Sequence, residues 1–330
     1  MRIVDHLGLP APLLRALEAH KHDKGDADFS VTELNVPAYL RKLRIDHDDE
    51  IEIEAHDRLF ALMGSMMHSV LEEARVSGMG SIEDRFREAL EKVGMSNPGF
   101  FSDTKWVTIK TALAELNNVM SEQNSEVEHL IFERRLFGEF FGKKISGQVD
   151  LIDLQQKLIS DYKSCSYWTA IYGAKEEWTQ QLNVYKLLAE QNGIHVDRLQ
   201  IVAWFRDWSK RQAKFKADYP SNPVHLFEIE VWPESRTLEF IKNRIAAFED
   251  PNPPVCSKHE RWERGGEWAV EKAGRKSALR VLPTQHEANA WVASHVSPGE
   301  QLYVVERPAE PIRCLDYCEV KQFCSFGSRL

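Results

Sequence analysis

The chain has 330 residues, 43% apolar and 28% charged, with a formal net charge of −9, which is the profile of a folded globular protein with one large domain or two smaller ones. That charge excludes a surface coated for nucleic acid, though not a local basic groove. No apolar run approaches the roughly 18–20 residues that span a bilayer, and the opening MRIVDHLGLPAPLL lacks the basic-then-apolar order of a secretory signal, so a reducing, cytoplasmic location is expected.

Residues 10–20 and 31–44 read as short helices, the second capped by Ser30 or Thr32 with Glu33 and Leu34 in its first turn. From Asp46 to Asp57 there are seven acids and no Lys or Arg, which predicts a solvated turn and a helix start. Residues 57–77 carry Leu59, Leu62, Met63, Met66, Val70 and Leu71 at helical spacing. Gly64 and His68, four apart, share one side of that helix. Residues 80–125 predict two further helices joined at 96–99.

The alternation in VEHLIFERRLFGEFFGKKISGQVDLID then predicts two paired strands. Glu133, in the first, either approaches the functional site or is an ordinary strand carboxylate. Within 147–163, Gln148–Leu154 and Lys157–Tyr162 flank a polar turn and read as a β-hairpin. Asp150 sits in its first strand, and Asp161 and Lys163 leave one face of its second. Two carboxylates and an ammonium at one end of a hairpin suit metal-assisted phosphodiester cleavage. The carboxylates offer oxygen ligands to a hard divalent cation, and the lysine orients or polarises the attacking water.

After Lys163 the chain passes through Ser164–Tyr172 into the helix KEEWTQQLNVYKLLAEQNG, ended by Gly193, on which Gln181 and Tyr185 share a face. Strands follow at 198–207 and 225–231, the first with the continuous apolar run of a strand buried on both faces. Residues 206–216 hold Arg206, Lys210, Arg211, Lys214 and Lys216 against the single acid Asp207. This is a solvated loop or a DNA-binding phosphate track, with Trp204 and Trp208 as candidate stacking surfaces. A helix over 233–249 closes the region and is stopped by 250–254.

From Cys256 the character changes. Residues 267–306 predict a small module of strand, strand, helix and strand, basic in its first part. It is bracketed by Cys256 and by Cys314, Cys318 and Cys324, and three cysteines within eleven residues of a reducing-compartment chain point to a thiolate-rich metal site. Their x3 and x5 spacing lacks the paired C-x2-C knuckles common around zinc. Cys165, beside the lysine, reads as a small packing residue.

The order Gly64-x3-His68, Gly147-Gln-Val-Asp150, Asp161-Tyr-Lys163, Gln181-x3-Tyr185 and then the cysteine cluster resembles the PD-(D/E)XK nuclease superfamily, most of all the RecB-like exonucleases of phages and bacteria, over residues 30–325. The resemblance implies an α/β fold with a mixed central sheet flanked by helices. It also implies three stretches: an N-terminal helical region (1–125), a nuclease core (126–255) and a cysteine region carrying the module (256–330). The implied activity is a metal-dependent DNA nuclease, foremost an exonuclease on DNA ends in recombination, repair or phage DNA metabolism. Mg²⁺ or Mn²⁺ would be held by His68, Asp150, Asp161 and the Tyr162 backbone carbonyl, with Lys163 orienting water and Gln181 and Tyr185 positioning the lysine or substrate.

CRISPR-associated and AddB-type members carry a [4Fe–4S] cluster that staples the C-terminal tail. Their fourth ligand lies upstream of the nuclease motifs; here no cysteine precedes Cys165, so Cys256 completes the set, with Zn²⁺ as the alternative occupant. Implied partners are DNA, single-stranded or as duplex ends, and a recombination or single-strand-annealing protein, with no membrane. Alternatives are an endonuclease, a catalytically silent DNA-binding or assembly protein, and a sensor centred on the cysteines. No G-x4-G-K-[ST] occurs, which excludes an intact helicase–nuclease fusion.

Overall fold

The computed structural model describes residues 1–19, 24–68, 129–297 and 299–330. They form two compact units, one of Leu7–Asn35 with Ala55–Ile245, the other of Met1–His6, Val36–Glu54 and Ala246–Leu330. The helices expected over 80–125, and the end of the one expected over 57–77, lie outside the described residues.

The larger unit is built on a six-stranded mixed sheet. In chain order it contains α1 (Ala11–Ala19), β1 (Phe29–Ser30), α2 (Val31–Leu34), α3 (residues 59–68), β2 (Leu130–Phe140), β3 (Lys143–Asp153), β4 (Leu158–Cys165), α4 (Trp168–Tyr172), α5 (Glu176–Gln191), β5 (Arg198–Phe205), α6 (Lys210–Phe215), β6 (Val224–Ile229) and α7 (Glu234–Glu249), whose last turn belongs to the second unit. This matches the expected mixed α/β class. The cap of α2 is Ser30, which accepts from the Glu33 amide while Glu33 reaches back, a complete capping box.

β2 and β3 pair antiparallel from Leu130↔Asp153 to Phe140↔Lys143, with one rung missing between Phe132↔Leu151 and Arg134↔Val149. Their turn is Phe141–Gly142, both at positive φ (53° and 73°), the geometry of a tight hairpin whose twist matches its strands. The opposite edge of β3 is shared. β1 pairs parallel with Ile145 and Ser146, and β4 pairs antiparallel with Leu151–Asp153. Among the described residues no strand pairs with 147–150 on that edge, so the sheet opens at the Asp150 backbone.

The turn into β4 is set by Asp153, whose Oδ1 accepts from the Gln156 amide at 2.8 Å. β4 then pairs parallel with β5 across the α5 crossover, and β6 returns antiparallel on β5. The core gathers the fully buried Ile145, Ile152, Ile159, Leu182, Leu188, Leu199 and Ile201. β5 is not buried on both faces as its apolar run suggested. Leu199, Ile201, Ala203 and Phe205 are buried while Val202 is half-buried and Trp204 exposed, because burial here follows strand alternation.

α5 lies close on the sheet, and two glycines permit it. A Cβ at Gly147 would sit 2.5 Å from Tyr185 Cε1, and one at Gly138 would meet Leu188 Cδ2 at 2.8 Å. Asn183, buried on the same helix, donates to the Glu230 carbonyl (2.9 Å) and accepts from the Trp232 amide (2.7 Å), fixing the exit of β6.

In the second unit, Arg2–Val4 pairs parallel with Glu52–Glu54, a strand pair inside the acidic stretch where only a turn and helix start were expected. The expected module is present: strands Glu267–Lys272, Arg280–Leu282 and Leu302–Arg307 form an antiparallel sheet with the first in the middle, and helix Gln285–His295 packs beside it. Helix Ala38–Asp46 contributes Leu40 and Leu43 to a small core with Ile51, Val320 and Cys324.

Candidate active site

Three carboxylates stand in a row across β2, β3 and β4. The β2–β3 rungs Phe132↔Leu151 and Arg134↔Val149 place Glu133 opposite Asp150, and that rung itself is not formed. Glu133 has φ 46°, a left-handed backbone rarely taken by a residue with a side chain. On the other side the β3–β4 rungs end at Leu151↔Ser160, so the next position sets Asp150 beside Asp161.

α3 brings His68 to this row. His68 Nδ1 lies 2.8 Å from Glu133 Oε1 and 3.7 Å from Asp150 Oδ1. Ligand atoms of His68, Glu133 and Asp150 all fall within 4.8 Å of one another, the only such group of three or more among the described residues. Glu133 Oε2 also accepts from Gln148 Nε2 at 2.8 Å, and Asp150 Oδ2 from the Tyr162 amide at 2.7 Å.

Asp161 is turned toward the other end of the row. Its Oδ2 lies 2.5 Å from Lys163 Nζ without a well-directed hydrogen bond, and its Oδ1 accepts from Gln181 Nε2 at 3.1 Å. Gln181 Nε2 also donates to Tyr185 Oη at 2.8 Å, with both side chains buried. Gln181 and Tyr185 therefore form a brace behind Asp161, and the lysine is positioned by its carboxylate partner.

Burial and the neighbouring Asp161 charge push the Asp150 carboxyl up to about 7. Burial also works to raise Glu133, but hydrogen bonds from His68 and Gln148 hold it below the usual carboxylate range. The Glu133 hydrogen bond raises His68 against the opposing effect of its burial. Lys163, despite burial, is held above its ordinary value by Asp161 and Asp150. The site thus pairs an acid-rich row with an imidazole and an ammonium, a set able to hold a divalent cation beside a fixed ammonium.

The structure brings together His68, Asp150, Asp161, Lys163, Gln181 and Tyr185, and Tyr162 enters through its amide. Glu133, left open in the sequence between the functional site and an ordinary strand carboxylate, joins them, because the β2–β3 register sets it opposite Asp150. Lys210, Arg211, Lys214 and Lys216 are exposed on and just after α6, in the same unit. Trp208 is not a free stacking surface, since it is half-buried with Nε1 donating to the Pro220 carbonyl at 2.9 Å.

The four C-terminal cysteines lie in the second unit and line one small apolar cavity with Leu40 and Leu43. All are free thiols. Arg261 and Arg313 border the same cavity, Arg261 donating to the Cys256 carbonyl at 2.6 Å. Burial raises the thiols of Cys256 (to about 11), Cys314 and Cys318. Cys165 belongs to the larger unit, buried in β4.

A family model described as the PD-(D/E)XK nuclease superfamily matches residues 38–325. No curated protein matches. Among solved structures, SSO0001 is similar over 73% of this chain and 87% of its own at 15% identity (TM-score 0.39). A phage-related exonuclease from Haemophilus somnus 129PT is similar over 41% of this chain and 68% of its own at 20% identity (TM-score 0.26). No helix of the described residues is long and apolar enough to cross a membrane.

Proposed function

The chain belongs to the PD-(D/E)XK nuclease superfamily, and from that premise we propose that it is a metal-dependent DNA exonuclease working on DNA ends. The observation that carries the reading is the row Glu133, Asp150, Asp161 with His68 at one end and Lys163 at the other. Its donor set is carboxylate oxygen plus one imidazole, which fits Mg²⁺ or Mn²⁺. His68, Glu133 and Asp150 would hold the ion, with Asp161 beside Asp150 in the strand register and paired to Lys163.

When bound, the ion would supply Lewis acidity and an activated water. Lys163 would orient that water and stabilise charge growing on the phosphate oxygens. Asp161 would fix the ammonium, and Gln181 with Tyr185 would hold Asp161 in the needed rotamer. Lys210, Arg211, Lys214 and Lys216 would contact the DNA backbone and make binding salt-dependent. A recombination or single-strand-annealing protein remains the partner to seek.

The thiol set supports a structural [4Fe–4S] cluster held by Cys256, Cys314, Cys318 and Cys324. Four thiols meet at one cavity bordered by Arg261 and Arg313. Zn²⁺ is the alternative occupant of the same thiols.

The test is cleavage of end-labelled linear and closed-circular DNA with Mg²⁺, Mn²⁺ or EDTA, beside Lys163→Ala. Metal-dependent loss of linear DNA only, absent in the variant, is expected. Cutting of circles would make it an endonuclease; a folded but inactive wild type would favour a silent DNA-binding role.

A further inference from the structure

We propose that an aromatic ladder at the carboxyl ends of β4 and β5 is a stacking site for unpaired bases, so that the substrate is engaged as a single strand. This deepens the nuclease reading and rests on it for the identity of the polymer. The ladder begins at Tyr219, which is 7% exposed, and runs outward. Tyr219 meets Tyr167 at 4.5 Å between ring centroids, Tyr167 stacks on Trp168 at 4.9 Å and 28°, and Trp168 stacks on Tyr172 at 5.7 Å and 18°. Exposure rises along it to 48% at Trp168 and 77% at Tyr172.

Its base is rigid. Asp207, just past β5, accepts from Ser166 Oγ (2.6 Å) and from the Tyr167 amide (2.8 Å), tying the end of β4 to the end of β5. Tyr219 Oη accepts from the Ser209 amide (2.7 Å) and donates to the Asp207 carbonyl (3.2 Å). An inner ring anchored in the fold with outer rings left to solvent is poor use of apolar area for stability, because the exposed faces gain nothing from burial. It is good use for binding flat aromatic solutes.

Charge selects the occupant. The exposed Lys210, Arg211, Lys214 and Lys216 follow Ser209, the residue that Tyr219 holds, and Lys175 is exposed just past α4. Exposed rings beside a run of cations combine base stacking with backbone neutralisation, the two components of single-strand binding. A duplex keeps its base faces stacked on one another and offers the rings nothing but its ends. Tyr167 is four residues beyond Lys163, at most about 14 Å of extended chain, so a strand stacked here reaches the carboxylate row within a few nucleotides.

The experiment compares Trp168→Ala, Tyr172→Ala and Trp168→Phe with wild type, using the full chain in EDTA so that DNA stays intact. Binding of labelled oligothymidylate and of a blunt hairpin duplex is read by anisotropy, followed by KM and kcat on the single strand with Mn²⁺. A ring that carries a base is expected to cost roughly 5- to 150-fold in single-strand affinity when truncated to alanine. Duplex affinity should stay unchanged, KM should rise more than kcat falls, and Trp168→Phe should restore binding. Unchanged or equally weakened binding of both DNAs in the alanine variants, or no single-strand binding by wild type, would overturn the ladder. The nuclease reading fails separately: ladder-dependent binding without metal-dependent cleavage by wild type would refute the chemistry and leave the ladder standing.

Discussion

Glu133 faces Asp150 across the β2–β3 ladder at the rung the ladder omits, and it does so in a left-handed backbone conformation (φ 46°). Strain of this kind costs roughly 1–2 kcal/mol and persists where surrounding structure enforces it, most often at functional sites. Here the neighbouring rungs hold the strand while His68 and Gln148 hold the side chain.

Substitutions at Glu133 should therefore separate stability from activity. Glu133→Gly is expected to exceed Glu133→Ala in apo stability by about 1 kcal/mol, because glycine tolerates positive φ. Both should lose on the order of 10–100-fold in metal affinity or cleavage. Urea unfolding in EDTA, beside a metal titration of cleavage, checks both; equal stability of the two variants would show that no strain is relieved there.

Asp150 makes the apo protein pH-sensitive. Its carboxyl is raised to about 7 by burial and by Asp161, so its contribution to stability is full below the ordinary carboxylate pKa and is lost as pH rises through about 7. Between pH 5 and 8 in EDTA, wild type should lose stability while Asp150→Asn loses markedly less. Metal must displace that proton, so Mn²⁺ affinity should strengthen up to about pH 7 and then level off. Thermal melts across pH with EDTA or Mn²⁺ test this. A Mn²⁺-induced rise in Tm that persists in Asp150→Asn would remove Asp150 from the ligand set.

The legible parts of this fold were those encoded by local chemistry. The pairing of β2 with β3 and the β3–β4 hairpin follow from alternation around polar turns, and Ser30 was one of two hydroxyls placed at the α2 cap, so each could be read from a few residues. Asp150, Asp161 and Lys163 were visible for the same reason. Glu133 needed register, a pairing between positions seventeen residues apart. The orientation of Gln181 toward Asp161, with Tyr185 behind it, needed the placement of α5 over the sheet, which spacing on one helix does not contain. The strand Glu52–Glu54 hid behind its charge because its partner is the chain's first few residues.

Gly147→Ala should act on the site through two intermediaries. The new Cβ would stand 2.5 Å from Tyr185 Cε1 and 2.8 Å from Val31 Cγ2, so the ring must move. Overpacking of this kind costs roughly 1–3 kcal/mol, and displacement of Tyr185 releases Gln181 from Asp161. A fall in kcat exceeding that of Tyr185→Phe is expected. Tyr185→Leu should recover part of the lost stability when combined with Gly147→Ala, giving a nonadditive double-mutant cycle. Strict additivity would mean that the glycine serves the backbone alone.

The cysteine cavity gives the last prediction, through protons and iron. Burial raises the Cys256 thiol to about 11 and also raises Cys314 and Cys318, so without metal these thiols are neutral at pH 7. For Cys256 the apo stability contribution is present below the ordinary thiol range and is lost only as pH rises through about 11. Loading must expel the protons, so cluster reconstitution should be faster and more complete at pH 8.5 than at pH 6.5. Protein purified without oxygen should hold about four irons and matching sulfide per chain. Cys318→Ala should lose that iron and destabilise the unit that packs Leu40, Leu43 and Val320 beside it, whereas Cys165→Ala should keep it. About one zinc per chain and no sulfide would replace the cluster with a single-ion site. Iron retained in Cys318→Ala would show that this thiol is not a ligand.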